Sequence, residues 1–91
     1  MTKKLQEKQY IELSDISLCT AICCHRYNIQ KIRVEKSGKA VFYIEYDGKI
    51  DNLIQKFFNH ELKVDALGYF NVLKEIKTRI YNVRRQTDFT I

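Results

Sequence analysis

The sequence predicts a small single-domain α+β fold of order α-β-β-α-(β)-α, a β-hairpin packed against about three helices. Three observations carry that expectation. The apolar period switches from helical spacing to two and back again along the chain. Each switch falls at residues suited to caps or turns. Finally, 91 residues of which 45% are hydrophobic leave room for one modest core.

Residues 1–9 mix three lysines, Glu7 and two glutamines without a period and read as a flexible lead-in, so order should start near Tyr10. Ser14 is an N-cap residue type with Asp15 behind it, and Leu13 and Leu18 have the spacing of a hydrophobic staple. A helix over 15–27 follows. Leu18, Ala21, Ile22 and His25 share one face of it, and Cys19, Cys23 and Cys24 widen the apolar surface. Asn28, tolerant of the left-handed conformation, should end it.

From Ile29 the period is two: Ile32 and Val34 alternate with Lys31, Arg33 and Glu35. Lys36-Ser37-Gly38-Lys39 has turn chemistry, after which Ala40, Phe42, Ile44 and Tyr46 alternate with Val41, Tyr43 and Glu45. These runs form the hairpin. Val41 and Tyr43 then sit on its outer face, which calls for a cover by another strand, a partner protein or a second copy of the chain.

Asp47-Gly48 stops the strand and caps a helix over 49–59, in which Ile50, Leu53, Ile54, Phe57 and Phe58 fit the amphipathic template. Residues 62–64 alternate as a short extended link able to add a strand. Asp65 caps the last helix, 66–82, with Ala66, Tyr69, Phe70, Leu73, Ile76 and Ile80 as its core face and Glu75 and Arg79 spaced as an ion pair. The domain thus covers residues 10–82, and 83–91 read as a basic C-terminal tail.

Apolar runs such as Ala21 to Cys24 and Val41 to Ile44 fall far short of the roughly 18–20 residues that span a bilayer. The N-terminal lysines have no apolar stretch behind them, so no secretory signal is read. An odd cysteine count, three, suits a reducing compartment. A cytoplasmic protein without a membrane partner is expected.

Several chemistries are poorly supported. Cys19, Cys23, Cys24 and His25 cluster within one helix, but a tetrahedral zinc site needs more ligands, and His60 is the only other histidine. No metal or other cofactor is expected, and the cysteines read as small core residues. A reactive thiol would need His25 or Arg26 close by. No catalytic motif or phosphate-cradling glycine loop is present, and Gly38, Gly48 and Gly68 are isolated. The chain reads as a non-enzyme.

Charge is lopsided. Residues 74–85 hold five bases against Glu75, a net of +4, whereas the other 79 residues carry 11 bases and 10 acids. On a continuing helix Lys74, Thr78, Tyr81 and Arg85 form a stripe flanking the core face, with Lys77 and Arg84 beside it. Such a stripe can meet phosphates and stack on a base, which makes these six residues the candidate nucleic-acid site, for DNA in preference to RNA. The alternative is a solvated face whose cations complement the helix dipole. Val41 and Tyr43 are the candidate protein interface, for a host protein or a homodimer, against the alternative that they complete the core.

Ser14-Asp15 with the small-residue helix, the hairpin Ile32 to Tyr46, Leu53-Ile54-x-x-Phe57-Phe58-Asn59, Val64-Asp65 and Tyr69-Phe70-x-x-Leu73 together resemble a family of short phage, prophage and bacterial proteins described as a domain of unknown function. The resemblance covers residues 10 to 82 and rests on packing motifs. It brings no catalytic residue. This chain departs from it at Asn28, where relatives have glycine, and in Cys23-Cys24-His25. The resemblance implies an accessory protein of a mobile element that acts inside a bacterial cell by binding.

Overall fold

The computed structural model describes residues 8–89, with side chains through Arg85. It is an α+β fold of order β-α-β-β-α-α: β1 (Tyr10–Leu13), α1 (Ile16–Cys23), β2 (Ile29–Val34), β3 (Ala40–Glu45), α2 (Lys49–Phe58) and α3 (Ala66–Phe89). The strands form one antiparallel sheet in the order β1-β3-β2, so the hairpin is extended on the β3 side by the segment just before α1.

The third strand is therefore β1, not residues 62–64. Tyr10–Leu13 is four residues long, too short to show a period, yet it places Ile11 and Leu13 opposite Ile44 and Phe42. Residues 61–65 are drawn instead into the end of α2, where Lys56 O accepts from the backbone N–H of Glu61 and Leu62 and His60 takes φ 62. The His25 ring donates from Nε2 to Lys63 O at 3.0 Å and ties this link to the end of α1.

Two cross-strand rows build the sheet's share of the core, Leu13–Phe42–Ile32 and Ile11–Ile44–Ile29. Ile29 and Ile32 are an odd number of positions apart and a regular strand would send them to opposite faces. A β-bulge resolves this: the register steps from Lys31↔Tyr43 to Ile29↔Ile44, leaving Gln30 as the extra residue. Onto this face pack Leu18, Cys19 and Ile22 of α1, Ile50 of α2 and Ile76 of α3.

Asp15, one residue later than expected, is the N-cap of α1; its Oδ1 accepts from the N–H groups of Ser17 and Leu18. That helix ends at Cys23, earlier than expected, and the left-handed residue after it is Arg26, φ 72, not Asn28. Asp47 accepts from the N–H groups of Lys49 and Ile50, and Gly48 takes φ 80, a conformation that favours glycine. In α3 the Asp65 carboxylate accepts from Gly68 N at 2.7 Å.

The core stripe of α3 is Val72, Ile76, Ile80 and Val83, and it displaces part of the expected set: Ala66 is exposed and Phe70 is 61% exposed. Phe58 of α2, also expected inside, is 60% exposed. Helix α3 runs past residue 82 to Phe89, because Ile80 and Val83 keep it docked; residues 83–89 are helix, not tail. Among the described residues Glu75 and Arg79 form no ion pair. Arg79 instead donates to Ile29 O. Residues 1–7 of the expected lead-in and residues 90–91 lie outside the described residues.

The sheet face away from the helices needs no further layer. Val41 is 5% exposed near the start of the central strand, with Arg33 opposite it. Tyr43 is half-buried between Lys31 and Arg33, whose cationic groups stand 5.9 and 6.0 Å from its ring centre. Long side chains of neighbouring strands thus cover what was expected to be an apolar opening.

Candidate nucleic-acid interface

Helix α3 is 24 residues long, about 36 Å at 1.5 Å per residue. With Val72, Ile76, Ile80 and Val83 turned to the core, a rotation of about 100° per residue places Lys74, Thr78, Tyr81 and Arg85 on the opposite side. The stripe is therefore diametrically away from the core rather than flanking it, and all four residues are exposed, Tyr81 at 60%. The Arg85 guanidinium lies 5.8 Å from the Tyr81 ring centre. Lys77 and Arg84 project on one flank of the stripe, within about 20° of each other. Neither Lys74 nor Lys77 forms an ion pair among the described residues.

Arg84 makes a contact that the sequence pattern does not disclose. Its Nη2 donates to Gly38 O at 2.9 Å, across 46 residues, and holds the β2–β3 turn against α3. That contact carries Lys36 and Lys39, both exposed and without an ion pair among the described residues, to the basic end of the helix. No local pattern links positions 36–39 to position 84, so only the folded chain shows them together.

The cations of the open sheet face behave differently. Arg33 pairs with Glu35 at 3.0 Å and with Glu12 at 4.0 Å and donates from Nε to the Tyr43 hydroxyl at 3.1 Å. Those bonds to Tyr43 and Glu35 hold its pKa above the usual value. Lys8 stands 3.9 Å from Glu45. Acids of this face thus pair Arg33 and Lys8, whereas Lys74 and Lys77 of α3 are exposed without an ion pair among the described residues. The candidate protein-interface pair is split by the same packing, with Val41 covered and Tyr43 pinned.

A shallow cleft of about 230 Å³ over Ile44 is lined by Arg26, Tyr27, Asn28, Gln30, Glu45 and Asp47. Its Asp47 carboxylate accepts the Tyr27 hydroxyl at 2.8 Å while capping α2. Cys19 is fully buried, and its hydrogen bond to Cys23 together with burial pushes its thiol far up. Cys23 is lowered, by that same bond and by the nearby Arg79 guanidinium, the cation that takes the place expected of His25 or Arg26. No group of three or more His, Cys, Asp or Glu side chains able to hold a metal exists among the described residues, and no described helix is long and apolar enough to cross a membrane.

The profile of a family described as "Domain of unknown function (DUF5659)" matches residues 8–82. The chain belongs to that family. No curated protein and no solved structure matches it significantly. Lys74, Lys77, Thr78 and Tyr81 fall inside the matched segment, while Arg84 and Arg85 lie just beyond it.

Proposed function

We propose that this protein is a non-enzymatic accessory protein of a phage or other mobile element, acting in the bacterial cytoplasm, that binds nucleic acid through the outer face of α3. The observation that carries this reading is the contrast between two sets of cations. On the sheet, Arg33 pairs with Glu12 and Glu35, Lys8 pairs with Glu45 and Lys31 lies over the Tyr43 ring, while Lys74 and Lys77 are exposed on α3 without an acidic partner among the described residues. Lys74, Lys77, Arg84 and Arg85 contact backbone phosphates, and Thr78 and Tyr81 lie between them as neutral donors to the same strand. DNA is the favoured polymer, because contacts of this kind read a phosphate backbone without needing splayed bases.

The test is fluorescence anisotropy on a labelled duplex at several salt concentrations. Four phosphate contacts predict a log–log slope of about −3.6, a loss of roughly 150-fold in affinity between 50 and 200 mM salt. Replacing all four cations with alanine abolishes binding. A flat salt response, or full binding by the quadruple variant, overturns the reading.

A second reading, an adaptor that binds a host protein, is favoured by a specific observation: Phe58, Leu67 and Phe70 are 60%, 69% and 61% exposed around the α2–α3 junction. It predicts a protein complex that survives nuclease and is lost in Leu67→Ser/Phe70→Ser.

A further inference from the structure

We infer that the β2–β3 turn is a second phosphate-contacting arm, which with the C-terminal half of α3 forms a basic notch for the backbone of a DNA duplex. This rests on the α3 face being the nucleic-acid interface. The turn is a built element. Glu35 N donates to Lys39 O and Gly38 N to Glu35 O, both at 2.8 Å, and Gly38 takes φ 93, which favours glycine. Arg84 fastens it to α3 through Gly38 O. Lys36 and Lys39 therefore stand at a set place beside the helix instead of sweeping through solvent.

The nearest acid in sequence is already engaged, since the Glu35 carboxylate accepts from Arg33 Nη1 at 3.0 Å. Lys36 and Lys39, neither of them in an ion pair among the described residues, thus add two cations to the four of α3. Arg84 is a positioning residue in this arrangement, spending one of its five N–H donors on the turn and keeping the others.

A duplex fits this notch better than a single strand. Single-strand binding relies on a series of open aromatic faces on which bases stack. Among the described residues of the notch Tyr81 is the one exposed aromatic, and the Arg85 guanidinium already lies over its ring. What the notch presents is charge from two chain segments, suited to phosphates held at regular spacing.

The experiment compares the wild-type chain, Lys36→Ala/Lys39→Ala and Lys74→Ala/Lys77→Ala by anisotropy on one duplex and on one of its strands, between 50 and 200 mM salt. With the turn the contacts number six and the wild-type slope steepens from about −3.6 to about −5.4; loss of two of them shallows it by about 1.8, so over this range the wild type loses about 12-fold more affinity than the turn variant. Both double variants should show this change, and the duplex should bind more tightly than the strand. A turn variant with the wild-type slope beside an altered helix variant overturns the second arm and leaves the α3 interface standing. Tighter binding of the single strand overturns the duplex assignment. No binding by the wild type removes both readings.

Discussion

Arg79 joins three parts of the fold, and its removal gives a measurable account of how α3 is held. Its Nη2 donates to Ile29 O at 3.2 Å, beside the bulge of edge strand β2, and its charge reaches Cys19 and Cys23 of α1. A hydrogen bond from a charged donor contributes about 1.5–3 kcal/mol. This one is long and only partly buried, so the lower value, about 1.5 kcal/mol, applies. In a domain of this size 1 kcal/mol moves the thermal midpoint by about 4–8 °C, so Arg79→Met, which keeps most of the aliphatic stem, should lower Tm by about 6–12 °C. Circular dichroism melts of the wild type, Arg79→Met and Arg79→Lys measure it. The lysine variant, with one flexible ammonium in place of the planar fork, should fall between the other two. A methionine variant within about 1 °C of wild type would show that the bond to Ile29 O is energetically silent and that apolar packing alone docks the helix.

Further outcomes follow from the core and the titratable groups. Phe42, 1% exposed in the central strand, should cost about 3–5 kcal/mol on replacement by alanine, seen as a large drop in the urea midpoint; a small drop would mean that the sheet collapses around the gap. Iodoacetamide with peptide mapping should label Cys23 before Cys24, which burial raises, and Cys19 last; Arg79→Met should slow Cys23, and an unchanged rate would refute the role of the guanidinium. The pKa of Tyr27 is raised by desolvation and its bond to Asp47, and that of Tyr46 by its bond to Asp51 and by desolvation. Because the folded state holds both protons more tightly, their contribution is complete below the ordinary value of 10.0 and is lost as pH rises through the folded values. Absorbance titration should show two late-ionising tyrosines that vanish in Tyr27→Phe/Tyr46→Phe; six titrating together at the ordinary value would contradict this.

What was legible in the sequence was whatever depends on neighbours along the chain. The alternation of Ala40 to Tyr46, the template of Ile50 to Phe57 and the caps Asp47 and Asp65 each act within a few residues, and each element formed where expected. Strand β1 escaped because four residues carry almost no period, and its place beside β3 is settled by packing on Phe42 and Ile44. The bulge at Gln30 is visible only once Ile29 and Ile32 must face the same core. Hydrophobicity alone points Phe70 inward, but Val72 and Val83 have the better angles on α3. The candidate site divides the same way. The basic run of residues 74–85 is a local feature, whereas the part played by Lys36 and Lys39 depends on the contact of Arg84 with Gly38 O. Alternation points Val41 to the open face, yet it is 5% exposed there, with Arg33 its cross-strand partner.

The proposal places nucleic acid on the face of α3 turned from the core and not on the sheet. Titrating the isotopically labelled chain with a short DNA duplex and following backbone amide resonances tests it directly. Shifts confined to residues 74–85 and the 36–39 turn, with Lys31, Arg33 and Tyr43 unmoved, are the predicted result. Shifts centred on Tyr43 and the open sheet face, or none at saturating duplex, would contradict it.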